Sequence, residues 1–368
     1  MSIRRQAAGA SRIVIKVGSA VLTGGRDSLD RAYFHDLASE IAGLRADGRG
    51  VIVVSSGAIA AGLAPLGLAK RPRDVAGQQA AAAAGQPLLM NLWSESLGVR
   101  RLAAAQVLLS RTDFDSRERF LNIRNCIGRL LELGMVPIVN ENDTVATEEI
   151  SLGDNDLLSA KIAGATQAEL LIILTGVGGV LDGAGAVVPE SEGVEPLLGL
   201  IRSEKSTQGR GGMGSKLAAA RAAGLSGVPT IIAPGRPPTS LGRAARGDPI
   251  GTFIAAPGDG RVVGKRVWIG LGVTPEGAVL IDDGASRAVR ERGASLLARG
   301  VTGVTGAFDV GEVIAVKAPD GREIARGLSN FSSAELQAIR GVESARFEEV
   351  LGRQAHDEVI HRDNLVVL

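Results

Sequence analysis

The sequence predicts an α/β protein, a three-layer sandwich around a mainly parallel sheet, followed by a small β-rich module. Three observations carry this expectation. From residue 12 to about 235, short apolar β-branched runs alternate with longer Ala- and Leu-rich helical patterns, as in helices layered on a largely parallel sheet. After about 235 the texture changes: Pro237, Pro238 and Pro249 break the rhythm, and from Ile269 short strand patterns alternate with glycine-containing turns. At 368 residues the chain exceeds one ordinary core and suits two domains. The expected division is 1–258 for the large domain, 259–275 for a linker, 276–354 for the module and 355–368 for a tail or final edge strand.

Taken in order, the strand candidates are 12–17 (RIVIKV), 50–55 (GVIVVS), 102–108, 135–139 (MVPIV), 169–174 (ELLIIL) and 228–232 (VPTII). Helical patterns lie near 30–47, 57–68, 76–97, 116–133, 154–164 and 215–224. Residues 80–84 are five consecutive alanines, a strong helix former that permits close packing, and Gly85 and Pro87 are expected to interrupt or kink that helix.

Composition narrows the function classes. The 45% apolar and 22% charged fractions are those of a soluble globular chain, and a net charge of +1 gives no global field for nucleic acid or anionic membrane. No run of about 18 apolar residues is present, so no membrane span is expected. The N-terminus, despite Arg4 and Arg5, lacks the apolar core of a signal peptide. Cys126 is the single cysteine, which excludes an intrachain disulfide and a zinc cluster and points to a cytoplasmic setting. A small buried apolar side chain is its expected role.

Four clusters carry chemistry, and each follows a strand or opens a helix, where open α/β sheets bind ligands. Strand 12–17 runs into Lys16-Val17-Gly18-Ser19, an ammonium beside a loop whose N–H groups suit a phosphate. Strand 50–55 meets Ser55-Ser56-Gly57-Ala58, a turn that offers hydroxyl and orphan N–H groups to an anion or simply caps a helix. The third cluster is Asn140-Glu141-Asn142-Asp143 with Gly153-Asp154-Asn155-Asp156, groups that suit an ammonium, a hydroxyl or a magnesium shell; a turn with a helix cap is the competing explanation for 153–156. The fourth, Gly209 to Lys216, contains a literal G-x-G-x-x-G but follows polar residues rather than a buried strand, and its G-S-K order is not that of a P-loop. Flexible glycines, a helix N-terminus and a lysine remain, and these suit polyphosphate.

The three histidines, His35, His356 and His361, lie outside all four clusters. A reaction whose nucleophile needs deprotonation would want a base there. A carboxylate with a pKa of about 4.3 does not, because it is already ionised at neutral pH. Phosphoryl transfer to a carboxylate needs positioning and charge stabilisation, which two lysines, glycine loops and an acidic anchor supply.

The ordered set VIKVGSAVLTGG, VIVVSSGAIAAG, RERFLN, VPIVNENDTVAT, GDND and GGMGSK resembles the amino acid kinase family over nearly the whole chain. SSGAIAAG with NENDTVAT is similar to its glutamate-phosphorylating branch rather than to aspartokinases, acetylglutamate kinases or uridylate kinases. The resemblance implies ATP-dependent phosphorylation of the side-chain carboxylate of L-glutamate to L-glutamate 5-phosphate, the first step toward proline, with magnesium (Mg2+) bound mainly through the ATP phosphates and no metal site of the protein's own. It implies Lys16 and Lys216 along the transferring phosphoryl group, with Asp156 holding both. Ser56, Gly57, Ala58, Asp143 and Asn155 would bind glutamate, Asp143 facing its α-ammonium. Lys16, Gly18, Thr175, Gly176, Arg210, Gly211, Gly212, Met213, Gly214, Ser215 and Lys216 would line the nucleotide path.

The sequence departs from the family where relatives carry a Thr-Asp or Ser-Asp pair after the fifth strand: here Thr175 precedes Gly176, and Arg210 stands where threonine is common. Both changes fall on the nucleotide side. Lys161 matches no family site and reads as a surface charge. Residues 276–350 resemble a PUA domain, a small pseudo-barrel, whose Arg287, Arg290, Arg292 and Arg299 leave RNA binding open beside a regulatory or structural role. A homo-oligomer is expected, the Ala-rich helix 76–97 suiting an interface without requiring one, and feedback binding of L-proline is a further expectation. The competing functional class is an RNA-associated binding protein on a degenerate kinase fold, which the retained Lys16, Asp156 and Lys216 disfavour.

Overall fold

The computed structural model describes residues 3–145, 154–201, 212–257 and 265–368. The chain forms two compact units: residues 1–113 with 118–261, and residues 114–117 with 262–368.

Among the described residues the first unit is built on eight strands: β1 (Arg12–Val17), β2 (Gly50–Ser55), β3 (Ala104–Leu109), β4 (Val136–Glu141), β5 (Leu170–Thr175), β6 (Glu190–Ser191), β7 (Thr230–Pro234) and β8 (Thr252–Ile254). Their order is β3-β4-β2-β1-β5-β7-β8-β6, every pair parallel except β7 with β8. The alternation of strand and helix patterns is thus realised as a mainly parallel sheet. β5 is buried at every residue and β1 and β2 at all but the first, because helices cover both faces; this is why these segments read as continuous apolar runs. Edge strand β3 has one buried residue, Leu109.

The helices are α1 (Arg5–Ala8), α2 (Ser19–Thr23), α3 (Arg31–Ala46), α4 (Ala58–Leu63), α5 (Val75–Gly98), α6 (Arg117–Glu132), α7 (Asp154–Ala165), α8 (Glu195–Ile201), α9 (Met213–Leu225) and α10 (Ser240–Ala245). Asp30 caps α3 and Asp74 caps α5, each accepting from a backbone N–H of its first turn. The expected interruption at Gly85 and Pro87 does not occur, and α5 runs unbroken through both. Gly85 serves close approach instead: a Cβ there would stand 1.9 Å from the Ala58 carbonyl oxygen, so α4 and α5 touch backbone to backbone. The core packs Tyr33, Phe34, Leu37 and Ile41 of α3 with Leu89 and Trp93 of α5 against β1, β2 and β5, and the Phe34 and Trp93 rings meet edge-on at 4.8 Å.

Two single-residue expectations are corrected. Lys161 is no surface charge: it is 7% exposed, because residues 158–165 of α7 are buried all round rather than along one stripe. Cys126 is exposed, lying beside rather than within the Phe120–Ile123–Ile127 stripe that α6 buries.

Among its described residues the second unit holds five strands, β9 (Gly277–Ile281), β10 (Val301–Gly306), β11 (Val313–Lys317), β12 (Glu323–Leu328) and β13 (Leu365–Val367), ordered β10-β9-β11-β12-β13. Only β9 with β11 is parallel. Its own core includes Val279, Ile314, Phe331, Leu336 and Phe347. The span expected as a linker carries a helical turn, Lys265–Val267, and a π-helical turn, Trp268–Gly272, with Ile269 fully buried and the Trp268 indole donating to the Phe114 carbonyl. The span expected as a tail or edge strand supplies β13 at the sheet edge.

Candidate active site

Parallel pairing brings the carboxyl ends of β1, β2, β4 and β5 to one edge of the sheet. Val17 stands opposite Ser55 on one side and Leu174 on the other, so the turns after these strands converge. They line a cleft of about 360 Å³, within the range of small-molecule sites.

One part of the cleft is cationic. Lys16, 4% exposed at the end of β1, places Nζ 2.7 Å from Asp156 Oδ1, an ion pair rather than an aligned hydrogen bond. Lys216, on the second turn of α9, donates from Nζ to Asp156 Oδ2 at 3.3 Å, and the Ser215 hydroxyl donates to the same oxygen at 2.7 Å. Asp156, on the first turn of α7, is fully buried. Burial alone would raise its pKa; the charges of Lys16 and Lys216, with the hydrogen bond from Ser215, outweigh that and hold it below the usual carboxylate range. Lys16 is pulled below the ordinary lysine value, chiefly by burial, which the Asp156 charge offsets only in part. Two ammonium groups around one carboxylate leave one net positive charge.

The β1 turn adds Gly18, whose Cβ would stand 3.4 Å from Lys16 Nζ, and the exposed N-terminus of α2. Thr175 and Gly176 line the cleft at the end of β5; a Cβ on Gly176 would meet nothing within 4 Å.

Another part is built of amides and hydroxyls. Ser56 extends β2, its N–H donating to the Val17 carbonyl, and Gly57 takes φ +112 to open α4, with a Cβ position 3.2 Å from the Leu29 side chain. Positive φ and close quarters together select glycine there. Asn155 donates from Nδ2 to Ser56 Oγ and to Asn140 Oδ1, both at 3.1 Å. Beneath, the buried Trp93 indole donates to Ser55 Oγ at 2.9 Å and steadies the turn. Ala58 and Asp143 complete the wall.

Of the residues singled out in the sequence, Lys16, Gly18, Ser56, Gly57, Ala58, Asp143, Asn155, Thr175, Gly176 and Lys216 line this cleft. Asp156 and Ser215 stand behind it as anchors, and Gly212, Met213 and Gly214 form the N-cap and first turn of α9 without lining it. Arg210 and Gly211 lie outside the described residues. Arg26, Asp27 and Arg71, which carried no role in the sequence reading, also line the cleft, as do Asn140 and Glu141, which were not named as site residues one by one. Asn140 and Glu141 lay inside a cluster already noted; Arg71 sits in a polar stretch with no local signal.

Residues 11–234 match the model of the amino acid kinase family. The chain belongs to that family. Residues 277–351 match the PUA domain. The chain is 45% identical over 364 residues to a glutamate 5-kinase of Thermus thermophilus, covering 97% of each chain. It is 44% identical to a glutamate 5-kinase of Trichlorobacter lovleyi, over 97% of this chain and 96% of that one, and 45% identical to one of Burkholderia multivorans, over 98% and 99%. A degenerate kinase fold would be expected to lose its charged centre, whereas Lys16, Asp156 and Lys216 form an intact ion-paired cluster here.

Proposed function

We propose that this chain phosphorylates the side-chain carboxylate of L-glutamate with ATP, forming L-glutamate 5-phosphate, the acyl phosphate that opens proline synthesis. The observation that carries this reading is the buried Lys16–Asp156–Lys216 cluster, opening on a cleft that also holds Ser56, Asn155 and Asp143. Relatives of nearly full length named glutamate 5-kinase support the substrate pair.

In this reading Lys16 and Lys216 lie along the transferring phosphoryl group. Their single net positive charge meets the negative charge on the equatorial oxygens as the transition state develops. Asp156 sets their positions in advance, so little reorganisation is left for the reaction step. Gly18 and the first N–H groups of α2 face the phosphates, with Thr175 and Gly176 on the nucleotide side, and the N-terminus of α9, outside the cleft lining, would reach only phosphates that extend beyond it. Ser56, Gly57, Ala58, Asn155 and Asp143 hold glutamate, the Asp143 carboxylate taking its α-ammonium. No histidine lines the cleft among the described residues, and none is required, because the attacking carboxylate is already ionised.

Magnesium fits as a companion of the nucleotide. Among the described residues no group of three or more His, Cys, Asp or Glu side chains is placed to hold a metal, and both Asp156 oxygens are engaged by lysines and Ser215. The phosphate oxygens would carry the ion, which when bound neutralises part of their charge. Incubation with L-glutamate, ATP and magnesium in the presence of hydroxylamine tests the reading. A hydroxamate dependent on all three is expected; folded protein yielding none would overturn it.

A further inference from the structure

The glutamate-side wall contains a chain of side-chain amides whose direction can be read. The backbone N–H of Glu141 can only donate, and it lies 3.0 Å from Asn140 Oδ1 and 3.3 Å from Asn155 Oδ1. That fixed donor sets both amides. Asn155 must then turn Nδ2 toward Asn140 Oδ1 and Ser56 Oγ, as it does at 3.1 Å each. Asn140, 2% exposed, must turn Nδ2 the other way, where Gln86 of α5 offers Oε1 at 2.9 Å. Gln86 thus acts as the terminal acceptor, and its own Nε2 is buried without a partner among the described residues. Its place on α5 is fixed by its neighbour Gly85, whose Cβ position falls 1.9 Å from the Ala58 carbonyl oxygen and 2.4 Å from the Gly62 nitrogen.

The consequence falls on Ser56. Its oxygen accepts from Asn155, so its one hydrogen is left to donate, and Ser56 lines the cleft. We infer that Gln86 is a positioning residue which, through Asn140 and Asn155, fixes Ser56 as a hydrogen-bond donor toward a carboxylate of the amino-acid substrate. This rests on the reading given under Proposed function. Gln86 touches no reacting atom in this account; the Glu141 N–H sets the direction of the amide chain, and Gln86 gives buried Asn140 Nδ2 its acceptor and so holds Asn140, Asn155 and Ser56 in that arrangement.

The test uses the full chain and compares Q86L with Q86E. Leucine removes the terminal acceptor and leaves buried Asn140 Nδ2 unpaired, whereas glutamate keeps an acceptor oxygen in the same place. For Q86L the glutamate KM should rise roughly ten-fold or more, the loss of one hydrogen bond to a charged group, with kcat and the ATP KM within about three-fold. Q86E should bring the glutamate KM back toward the parent value. In an S56A background Q86L should add less than its penalty in the parent, because the donor it orients is gone. Calorimetric L-glutamate binding by the same variants reads the effect independently of turnover. Parent protein that binds glutamate but forms no hydroxamate would refute the proposed reaction and leave this comparison standing. The inference is overturned if Q86L leaves glutamate affinity unchanged, if Q86E is as impaired as Q86L, if the S56A and Q86L penalties add, or if Q86L lowers kcat and both affinities together with the unfolding temperature, as mere packing would.

Discussion

Replacing Asp156 by asparagine removes the one anion between Lys16 and Lys216 and changes little else in size. The carboxylate is fully buried, and the two lysines are 4% and 7% exposed, so the substitution leaves two ammonium groups facing each other in a poorly solvated space. Breaking a buried ion pair by deleting one partner costs about 3–5 kcal/mol, a large share of an ordinary domain's stability. D156N is therefore expected to lose about that much in denaturant unfolding. Turnover should fall by roughly 100-fold or more, equivalent to about 2.7 kcal/mol of transition-state stabilisation, because the lysines lose the group that sets their positions. S215A keeps the charge and deletes one donor, so it should cost only about 1.5–3 kcal/mol. The pH dependence has a definite sign. The folded Asp156 pKa lies below the unfolded value of about 3.9, so its stabilisation is complete above that pH and is lost as pH falls through the lower folded pKa. The stability gap between parent and D156N should shrink over the same window. D156N within about 1 kcal/mol and three-fold in turnover of the parent would refute the reasoning.

Lys16 is held below the ordinary lysine value by burial, so the alkaline limb of kcat/KM should fall below pH of about 10.4, and Lys16→Arg, which stays protonated, should move that limb upward; an unmoved limb assigns it to another group. Lys216→Ala should lower kcat far more than it raises the glutamate KM, and unchanged turnover would remove Lys216 from the mechanism. Asp143→Ala should raise the glutamate KM about ten-fold or more through loss of a partner for the α-ammonium, whereas a rise in the ATP KM alone would place Asp143 in the wrong subsite. Gly176→Asp meets no steric bar, since a Cβ there has open space; it should tighten ATP binding by roughly ten-fold or shift the ATP/GTP preference, and if both stay unchanged residue 176 is remote from the nucleotide.

The sheet was legible in the sequence because its central strands are buried on both faces, so LLIILT and VIVVS announce themselves without help from the rest of the fold. Site residues at the carboxyl ends of those strands were legible for the same reason: once a strand end is known, the turn that follows it is the place to look for cleft residues, as with Gly18, Ser56, Asp143 and Gly176. Asp156 could be named but not read as buried, because an aspartate at the start of a helix looks like a cap until its lysines arrive from β1 and α9, 140 and 60 residues away in sequence. Lys161 misled for the opposite reason, a charge in the stretch 158–165 of α7 that is buried all round. The expected interruption at Pro87 follows from local propensity, whereas the backbone contact of α4 at Gly85 and the packing of Leu89 and Trp93 keep α5 helical through it. Gln86 had no local signal at all; its role depends on the direction of hydrogen bonds among residues from three separate elements.

The central claim is that the phosphoryl group passes to the glutamate side-chain carboxylate, and oxygen isotopes test it most directly. L-Glutamate labelled with ¹⁸O in both side-chain oxygens is turned over with ATP and magnesium, and hydroxylamine then attacks the acyl carbon and expels phosphate. If the carboxylate oxygen attacks phosphorus, the bridging oxygen leaves with the phosphate, which should carry one ¹⁸O while the hydroxamate retains the other. Phosphate released without label would mean that the group had gone to water, and the account of this cleft would be wrong.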